Sequence, residues 1–158
     1  MKALIVFDSQ YGNTERVAHA IASSLECEVL VERANNVLLP DWRDADLIVV
    51  GSPTQGGRPT PAVQAFLGSI PAGAFESKRV AAFDTRIVPA NVVLRVLIRL
   101  VGYAARRIDS QLKAKGGREA ILPEGFIVEG REGPLRPGEL ERAARWAKTL
   151  HLETESKG

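Results

Sequence analysis

The sequence predicts a three-layer α/β sandwich in which a five-stranded parallel sheet is covered by helices on both faces. Short apolar runs alternate along the chain with segments of helical periodicity, the order typical of βαβ units. The runs are nearly continuous, as expected for parallel strands buried on both faces. With 158 residues, 45% hydrophobic and 25% charged, the chain can bury one core. We therefore expect one domain over residues 1–150 and a flexible C-terminal tail at 151–158.

Three strands and two helices are predicted in the first half of the chain. The first helix spans Thr14–Leu25, where apolar residues recur every four positions. The second begins at Pro61 and runs to Leu67 or slightly beyond. Its start is predicted because Thr60 is a favoured N-cap residue and proline is favoured at the first helical position. The strands are predicted at Lys2–Phe7, Cys27–Val31 and Asp46–Val50.

In the second half of the chain, the sequence predicts a fourth strand, a long helix, an interrupted fifth strand and a final helix that begins at Pro137. The long helix, Ala90–Ile108, has an apolar stripe wider than one core face requires. This width indicates either a deeply buried helix or a homodimer contact. Pro123-Glu124-Gly125 interrupts the fifth strand. The strand segments are predicted at Arg79–Phe83, Glu119–Leu122 and Phe126–Val128.

Composition and charge argue against several classes of protein. Lys and Arg number 21 against 19 for Asp and Glu, too small an excess to indicate a nucleic-acid partner. The longest apolar stretch, Ile87–Tyr103, contains Arg95 and Arg99, so we expect no membrane insertion. The single cysteine, Cys27, cannot form an internal disulfide, and no secretory signal is visible, so we expect a cytoplasmic protein. The two histidines are far apart, and no metal site is predicted.

The loop between the first strand and the first helix has the composition of a phosphate-binding site. A helix N-terminus offers unpaired N–H groups and the positive end of a dipole. Ser9, Tyr11 and Thr14 add hydroxyl groups, Asn13 adds an amide, and Gly12 permits a positive φ. The loop has no lysine and lacks the glycine spacing of triphosphate and dinucleotide loops. An uncharged cradle of this size predicts a single phosphate monoester.

At this loop the sequence resembles the flavodoxin family, whose phosphate loop is matched by Ser9-Gln10-Tyr11-Gly12-Asn13-Thr14. The resemblance continues in Gly51–Pro59 after the third strand and in Phe83–Arg86 after the fourth. It implies a flavodoxin-like fold that binds FMN non-covalently, with the phosphate on the first loop and the flavin ring between the other two. The resemblance places these residues at the cofactor: Ser9, Gln10, Tyr11, Gly12, Asn13, Thr14, Pro53, Thr54, Gln55, Gly56, Gly57, Arg58, Asp84, Thr85 and Arg86.

Two features depart from the usual pattern of that family. Flavodoxins commonly hold the flavin ring between aromatic side chains, but Gln55 stands where one is expected and the third loop, residues 84–91, contains no aromatic residue. Such stacking is worth about 1–3 kcal/mol, so its loss predicts weaker FMN binding and a more accessible ring. Arg58 and Arg86 lie in the second and third loops, which would border the flavin ring. Either they raise the midpoint potential by stabilising the anionic reduced flavin, or they lie on a solvated face or pair with Asp84.

The resemblance implies a redox function and leaves three hypotheses open. The first is electron transfer between protein partners through FMN. The second is FMN-dependent reduction of a quinone-like or other small acceptor by NAD(P)H, and the third is a flavin-binding interaction or sensing module without turnover. No side chain is predicted to be catalytic, because electron and hydride transfer are the chemistry of the cofactor. The resemblance also implies that Gly56 or Gly57 presents a backbone carbonyl to flavin N5.

Overall fold

The computed structural model describes residues 1–155, which form a parallel sheet with helices packed on both faces. The strands are β1 (Lys2–Phe7), β2 (Glu28–Arg33), β3 (Leu47–Pro53), β4 (Arg79–Arg86), β5 (Arg118–Glu119) and β6 (Glu124–Ile127). The helices are α1 (Asn13–Ser24), α2 (Leu39–Arg43), α3 (Pro61–Ser69), α4 (Val92–Val101), α5 (Ala104–Ala114) and α6 (Glu139–Glu155). The strand order is β2-β1-β3-β4, with β5 and β6 both beside β4. The predicted α/β sandwich is confirmed.

The central strand β1 shows why the apolar runs are continuous. Ile5 and Phe7 face one core cluster, to which α1 and α6 contribute, and Leu4 and Val6 face a second, to which α3 and α5 contribute. Alternate residues of a strand point to opposite faces, so a strand covered on both sides needs apolar residues at every position. Because β1, β3 and β4 are all parallel, their carboxyl ends lie at one edge of the sheet.

Within residues 1–155 the sheet has six strands rather than the predicted five, because one strand position is divided. β5 pairs with the start of β4, and β6 pairs with its end. The predicted interruption is present but falls earlier, between Glu119 and Glu124. Pro123 lies in this gap, and a proline has no N–H to donate to a strand ladder.

The single helix predicted over Ala90–Ile108 is wrong, because the chain forms two helices there. Gly102 ends α4 with a φ of +87°, a left-handed conformation that favours glycine. The interpretation of the stripe as a deeply buried helix is also wrong. The apolar side chains of α4 are largely exposed, whereas Ile108 and Leu112 of α5 are fully buried against the sheet.

Other boundaries agree with the sequence pattern or extend it. Thr60 caps α3, its side-chain oxygen accepting a hydrogen bond from the N–H of Val63, as predicted. The short helix α2 and a 3₁₀ turn at Ala34–Asn36 were not predicted. The tail predicted at 151–158 overlaps the end of α6, and positions 156–158 lie outside the described residues. Within residues 1–155, no helix is both long and apolar enough to cross a membrane.

Candidate cofactor-binding site

The loops that follow β1, β3 and β4 meet at the carboxyl edge of the sheet and surround a cleft of about 450 Å³. Parallel neighbouring strands bring their following loops to the same edge, where ligands of open α/β sheets bind. The volume lies in the range of small-molecule and cofactor sites, roughly 300–1,000 Å³. The cleft is lined by Ser9, Gln10, Tyr11, Asn13, Thr14, Pro53, Thr54, Gln55, Thr85, Arg86, Ile87, Val128 and Arg131.

The first loop leaves the N-terminus of α1 open to a ligand. Gly12 is the N-cap residue, with a φ of +93°, and the first turn receives no side-chain cap. The N–H of Gly12 donates to Oγ of Ser9 at 3.0 Å, so the Ser9 hydroxyl keeps its own proton for another acceptor. Uncapped N–H groups and the helix dipole together form an anion site. The donor set therefore fits a phosphate.

Two threonine hydroxyls join the first loop to the end of β4. Oγ1 of Thr14 and Oγ1 of Thr85 are 2.8 Å apart, and both residues are buried. One hydroxyl donates to the other, so the pair retains one proton for a further acceptor. This contact fixes the start of α1 against the sheet edge and holds the first and third loops together.

The second loop is a tight hairpin with glycines at both central positions. Gln55 and Arg58 exchange two backbone hydrogen bonds of 2.8 and 3.0 Å, and Gly56 and Gly57 have φ of +57° and +78°. Two positive φ values indicate a type I′ turn, which glycines form without strain. The side-chain amide of Gln55 also donates to Oε1 of Gln10 at 3.3 Å, which links the second loop to the first.

The third loop is held by a buried ion pair. Arg86 donates to both carboxylate oxygens of Asp84, at 2.7 and 2.8 Å, and stacks on the ring of Tyr103 with 3.7 Å to its centroid. The N–H of Ala105 donates to the same carboxylate at 2.9 Å, so Asp84 caps the start of α5. Burial raises the pKa of Asp84, against the opposing effect of Arg86. A Cβ on Gly125 would lie 2.0 Å from Nε of Arg86, so this pair requires glycine in β6.

Arg58 and Arg86, the arginines of the second and third loops, bring no unpaired charge to the cleft. Arg86 lines it but is paired with Asp84, which is one of the alternatives considered from the sequence. Arg58 lines a separate cleft with Arg106 and Arg107. The expectation that the two arginines raise the midpoint potential of a flavin stays a prediction.

Arg131 is a lining residue that sequence reasoning missed. It is exposed, and among the described residues no carboxylate pairs with it. Its neighbour Glu132 accepts a hydrogen bond from the amide of Asn13 through the backbone carbonyl, at 3.1 Å, so this segment packs on the first loop. The sequence predicted an uncharged cradle, but the cleft also contains the charged side chain of Arg131. Arg131 follows β6, and the carboxyl end of this last strand was the signal that could have found it.

Most predicted site residues line the cleft, and the others lie beside or beneath it. Gly12 shapes the end of α1 without lining the cleft. The central glycines of the hairpin, Gly56 and Gly57, also lie outside its lining, as does Arg58. Asp84 is fully buried and acts on the cleft through Arg86. The lining residues absent from the prediction are Ile87, Val128 and Arg131.

The comparison with protein families decides which family the chain represents. The model of the flavodoxin domain matches residues 4–117, which include the first, second and third loops. This chain is a member of the flavodoxin family. Members of the family bind FMN, so the predicted recognition and cofactor are confirmed at the level of the family. No curated protein matches the chain at a significant level.

Solved structures share the fold of this flavodoxin-family protein over nearly its whole length. A flavodoxin from the domain Archaea is 23% identical, with a TM-score of 0.74 and 100% of both chains covered. Oxidised flavodoxin 2 from Bacillus cereus is 19% identical, with a TM-score of 0.77 and 97% and 99% covered. Rubredoxin oxygen:oxidoreductase from Desulfovibrio gigas is 20% identical, with a TM-score of 0.71. The match covers 99% of this chain but only 36% of that longer protein. At these identities the comparisons establish the fold.

Replacing Ile87 by tyrosine is expected to tighten FMN binding about tenfold, because stacking on a flat ring is worth about 1–3 kcal/mol and 1.4 kcal/mol is a factor of ten. Ile87 is exposed and lines the cleft in the third loop, which has no aromatic residue. The measurement is a titration that follows quenching of FMN fluorescence. Leu122→Tyr, at an exposed leucine outside the cleft, is the matched control. Equal affinities for the two variants would show that the ring lies away from Ile87.

Proposed function

We propose that this flavodoxin-family protein binds FMN non-covalently and transfers electrons between redox partners in the cytoplasm. The observation that carries the proposal is the open N-terminus of α1 with Arg131 beside it, at the margin of a single cleft. The other lining residues between the second and third loops are uncharged apart from the paired Arg86. One cavity therefore combines an anion site with a largely uncharged compartment, which are the two requirements of a flavin mononucleotide.

The residues divide into a phosphate group and a ring group. Ser9, Asn13, Arg131 and the N–H groups of the first turn of α1 would hold the phosphate, and the segments 53–55 and 85–87 would hold the ring. When bound, FMN exchanges one or two electrons, which is chemistry of the cofactor and needs no catalytic side chain.

The second loop can supply the backbone contact that the family resemblance implies. The two hydrogen bonds of the hairpin use Gln55 and Arg58 and leave the Gly56–Gly57 peptide out of the pairing. A peptide between two glycines can rotate without a steric penalty. We therefore keep the proposal that one of these glycines presents its carbonyl to flavin N5.

A second candidate function is reduction of a quinone-like or other small acceptor with NAD(P)H as the donor. Two side chains favour this second function. The ring would lie between Gln55 and Ile87, which are exposed and not aromatic. A ring with no aromatic cover from the second and third loops would be accessible to a small molecule. The same opening would let a partner protein approach the ring, so the two functions need separate assays.

The first experiment is a titration of the purified protein with FMN and, separately, with riboflavin, followed by flavin fluorescence. We expect FMN to bind at least about tenfold more tightly, because hydrogen bonds to a charged group contribute roughly 1.5–3 kcal/mol. Protein that stays colourless and ignores FMN would contradict the proposal. Equal affinity for the two flavins would show that the end of α1 does not hold the phosphate.

The second experiment separates the candidate functions in the FMN-loaded protein. Two resolved one-electron steps on stepwise photoreduction would support electron transfer between partners. Rapid oxidation of NAD(P)H that requires an added quinone would support the enzyme. FMN binding with neither property would leave the interaction or sensing module.

A further inference from the structure

Helix α4 carries a large apolar surface that the fold leaves uncovered. Six of its side chains are between 49% and 79% exposed, and they are nearly half of the exposed large hydrophobic residues in the described part of the chain. They occupy most of the circumference of a ten-residue helix. Contiguous exposed apolar surface of this kind marks an interaction site. We call these residues the α4 face: Val92, Val93, Leu94, Val96, Leu97 and Leu100.

The chain segment that carries the α4 face contains arginines but no acidic residue. Arg95 and Arg99 lie one turn apart on the remaining side of α4, and both are exposed. Positions 87–108 contain no aspartate or glutamate. Leu100 of the α4 face also lines a cleft of about 600 Å³, together with Arg106 and Arg107 of α5. The surface that surrounds the apolar side chains therefore offers several positive charges and, within this segment, no negative one.

We propose that the α4 face binds the surface of an anionic phospholipid bilayer. Apolar side chains would enter the boundary between headgroups and acyl chains, as they do in interfacial amphipathic helices. Arg95 and Arg99 would extend toward the lipid phosphates while their aliphatic stems remain in apolar surroundings. A ten-residue helix is about 15 Å long, roughly half the thickness of the hydrocarbon core, so α4 would lie in the plane of the interface and not across the bilayer.

Charge favours a bilayer over a second copy of this chain. A two-fold dimer brings the same patch of both subunits together. Contact through the α4 face would bring together two copies of a segment, positions 87–108, that contains four arginines and no acidic residue to compensate them. An anionic lipid surface is complementary to both the apolar and the charged parts of the patch, and each arginine near such a surface strengthens binding.

The attachment of α4 places the candidate cofactor cleft beside this interface. Asn91, which caps α4 through hydrogen bonds from the N–H groups of its first turn, lies four residues after the cleft residue Ile87. Just beyond the other end, the N–H of Ala104 donates to Oγ1 of the cleft residue Thr54 at 3.1 Å. The inference goes beyond the proposed function and does not depend on FMN, because the binding surface consists of protein side chains alone.

The test is co-sedimentation of the full chain with vesicles of phosphatidylcholine alone and with vesicles containing about one-third phosphatidylglycerol. We expect the anionic vesicles to bind the protein at least about tenfold more tightly, because each basic residue near an anionic surface contributes measurably to binding. Leu97→Gln/Leu100→Gln removes apolar surface without changing charge and is expected to lower binding about tenfold or more. Arg95→Gln/Arg99→Gln is expected to remove most of the preference for anionic lipid.

Leu38→Gln/Leu39→Gln is the matched control, because these two leucines are exposed to a similar extent in a different region of the chain. It should bind vesicles as the unmodified protein does, and far-UV circular dichroism should be the same for all variants. Three results would overturn the proposal: no binding to anionic vesicles, equal binding to both vesicle types, or no effect of Leu97→Gln/Leu100→Gln. A dimer in sedimentation velocity that this variant dissociates, without vesicle binding, would assign the α4 face to a second copy.

Discussion

Arg131→Gln is expected to weaken FMN binding about 10–100-fold and to leave riboflavin binding unchanged. Hydrogen bonds to charged groups contribute roughly 1.5–3 kcal/mol, and each 1.4 kcal/mol is a factor of ten. Arg131 lines the cleft at the segment that packs on the first loop, where the backbone carbonyl of Glu132 accepts from the Asn13 amide. Riboflavin has no phosphate, so it should not detect the loss of this guanidinium. Fluorescence titrations with both flavins provide the measurement.

The matched control for this prediction is Arg136→Gln. Arg136 lies in the same segment, does not line the cleft, and pairs with Glu129 at 3.6 Å on the surface. Its replacement should leave the affinities for both flavins unchanged. If Arg131→Gln weakened FMN and riboflavin equally, the residue would act on the shape of the segment and not on the phosphate. Unchanged FMN binding would show that the end of α1 holds the phosphate without help from Arg131.

Asp84→Ala is expected to lower the free energy of unfolding by about 3 kcal/mol, because it leaves a largely buried guanidinium without its partner. Asp84 is 0% exposed, and its carboxylate accepts two hydrogen bonds from Arg86 and one from the N–H of Ala105. The variant therefore also removes the side-chain acceptor at the start of α5, whose own N-cap residue, Tyr103, provides none. At roughly 2–4 °C per kcal/mol for a chain of this size, the melting temperature should fall by about 6–12 °C.

Two further variants test the cause of that loss. Glu129→Gln breaks an exposed ion pair and should cost at most about 1 kcal/mol. Asp84→Ala/Arg86→Met removes both charges and should be more stable than Asp84→Ala, because no uncompensated charge remains. A double variant less stable than Asp84→Ala would show that Arg86 stabilises the fold through its stacking on Tyr103 more than through the ion pair. Denaturant unfolding of the four proteins provides the comparison.

The elements that the sequence predicted well are those whose pattern is local. β1 has the predicted bounds, because a strand buried on both faces needs an unbroken apolar run. Thr60 and Pro61 marked the start of α3, because capping depends on residues within one turn. The first loop was found for the same reason, since its hydroxyl groups, its glycine and the helix that follows are adjacent in the chain.

The features that the sequence did not predict depend on contacts between distant segments. Gly102 divided the helix predicted at Ala90–Ile108, and the periodicity continued across the division without showing which part packs on the sheet. The pairing of Arg86 with Asp84 was one alternative among several, and only the packing of α5 against β4 selected it. Arg131 lines the cleft beside Glu132, which contacts Asn13 of the first loop from 119 residues away, so no spacing rule could connect them.

The sequence by itself determined that this chain folds as a parallel α/β sandwich with an anion-binding loop at the end of its first strand. Those properties follow from periodicity, capping and backbone freedom, which act over a few residues. Tertiary structure alone decided which charges face the cleft, which are neutralised, and that the apolar surface of α4 remains uncovered. The physical reason is that burial and charge pairing depend on which segments meet, and the local pattern of a segment does not record its neighbours in space.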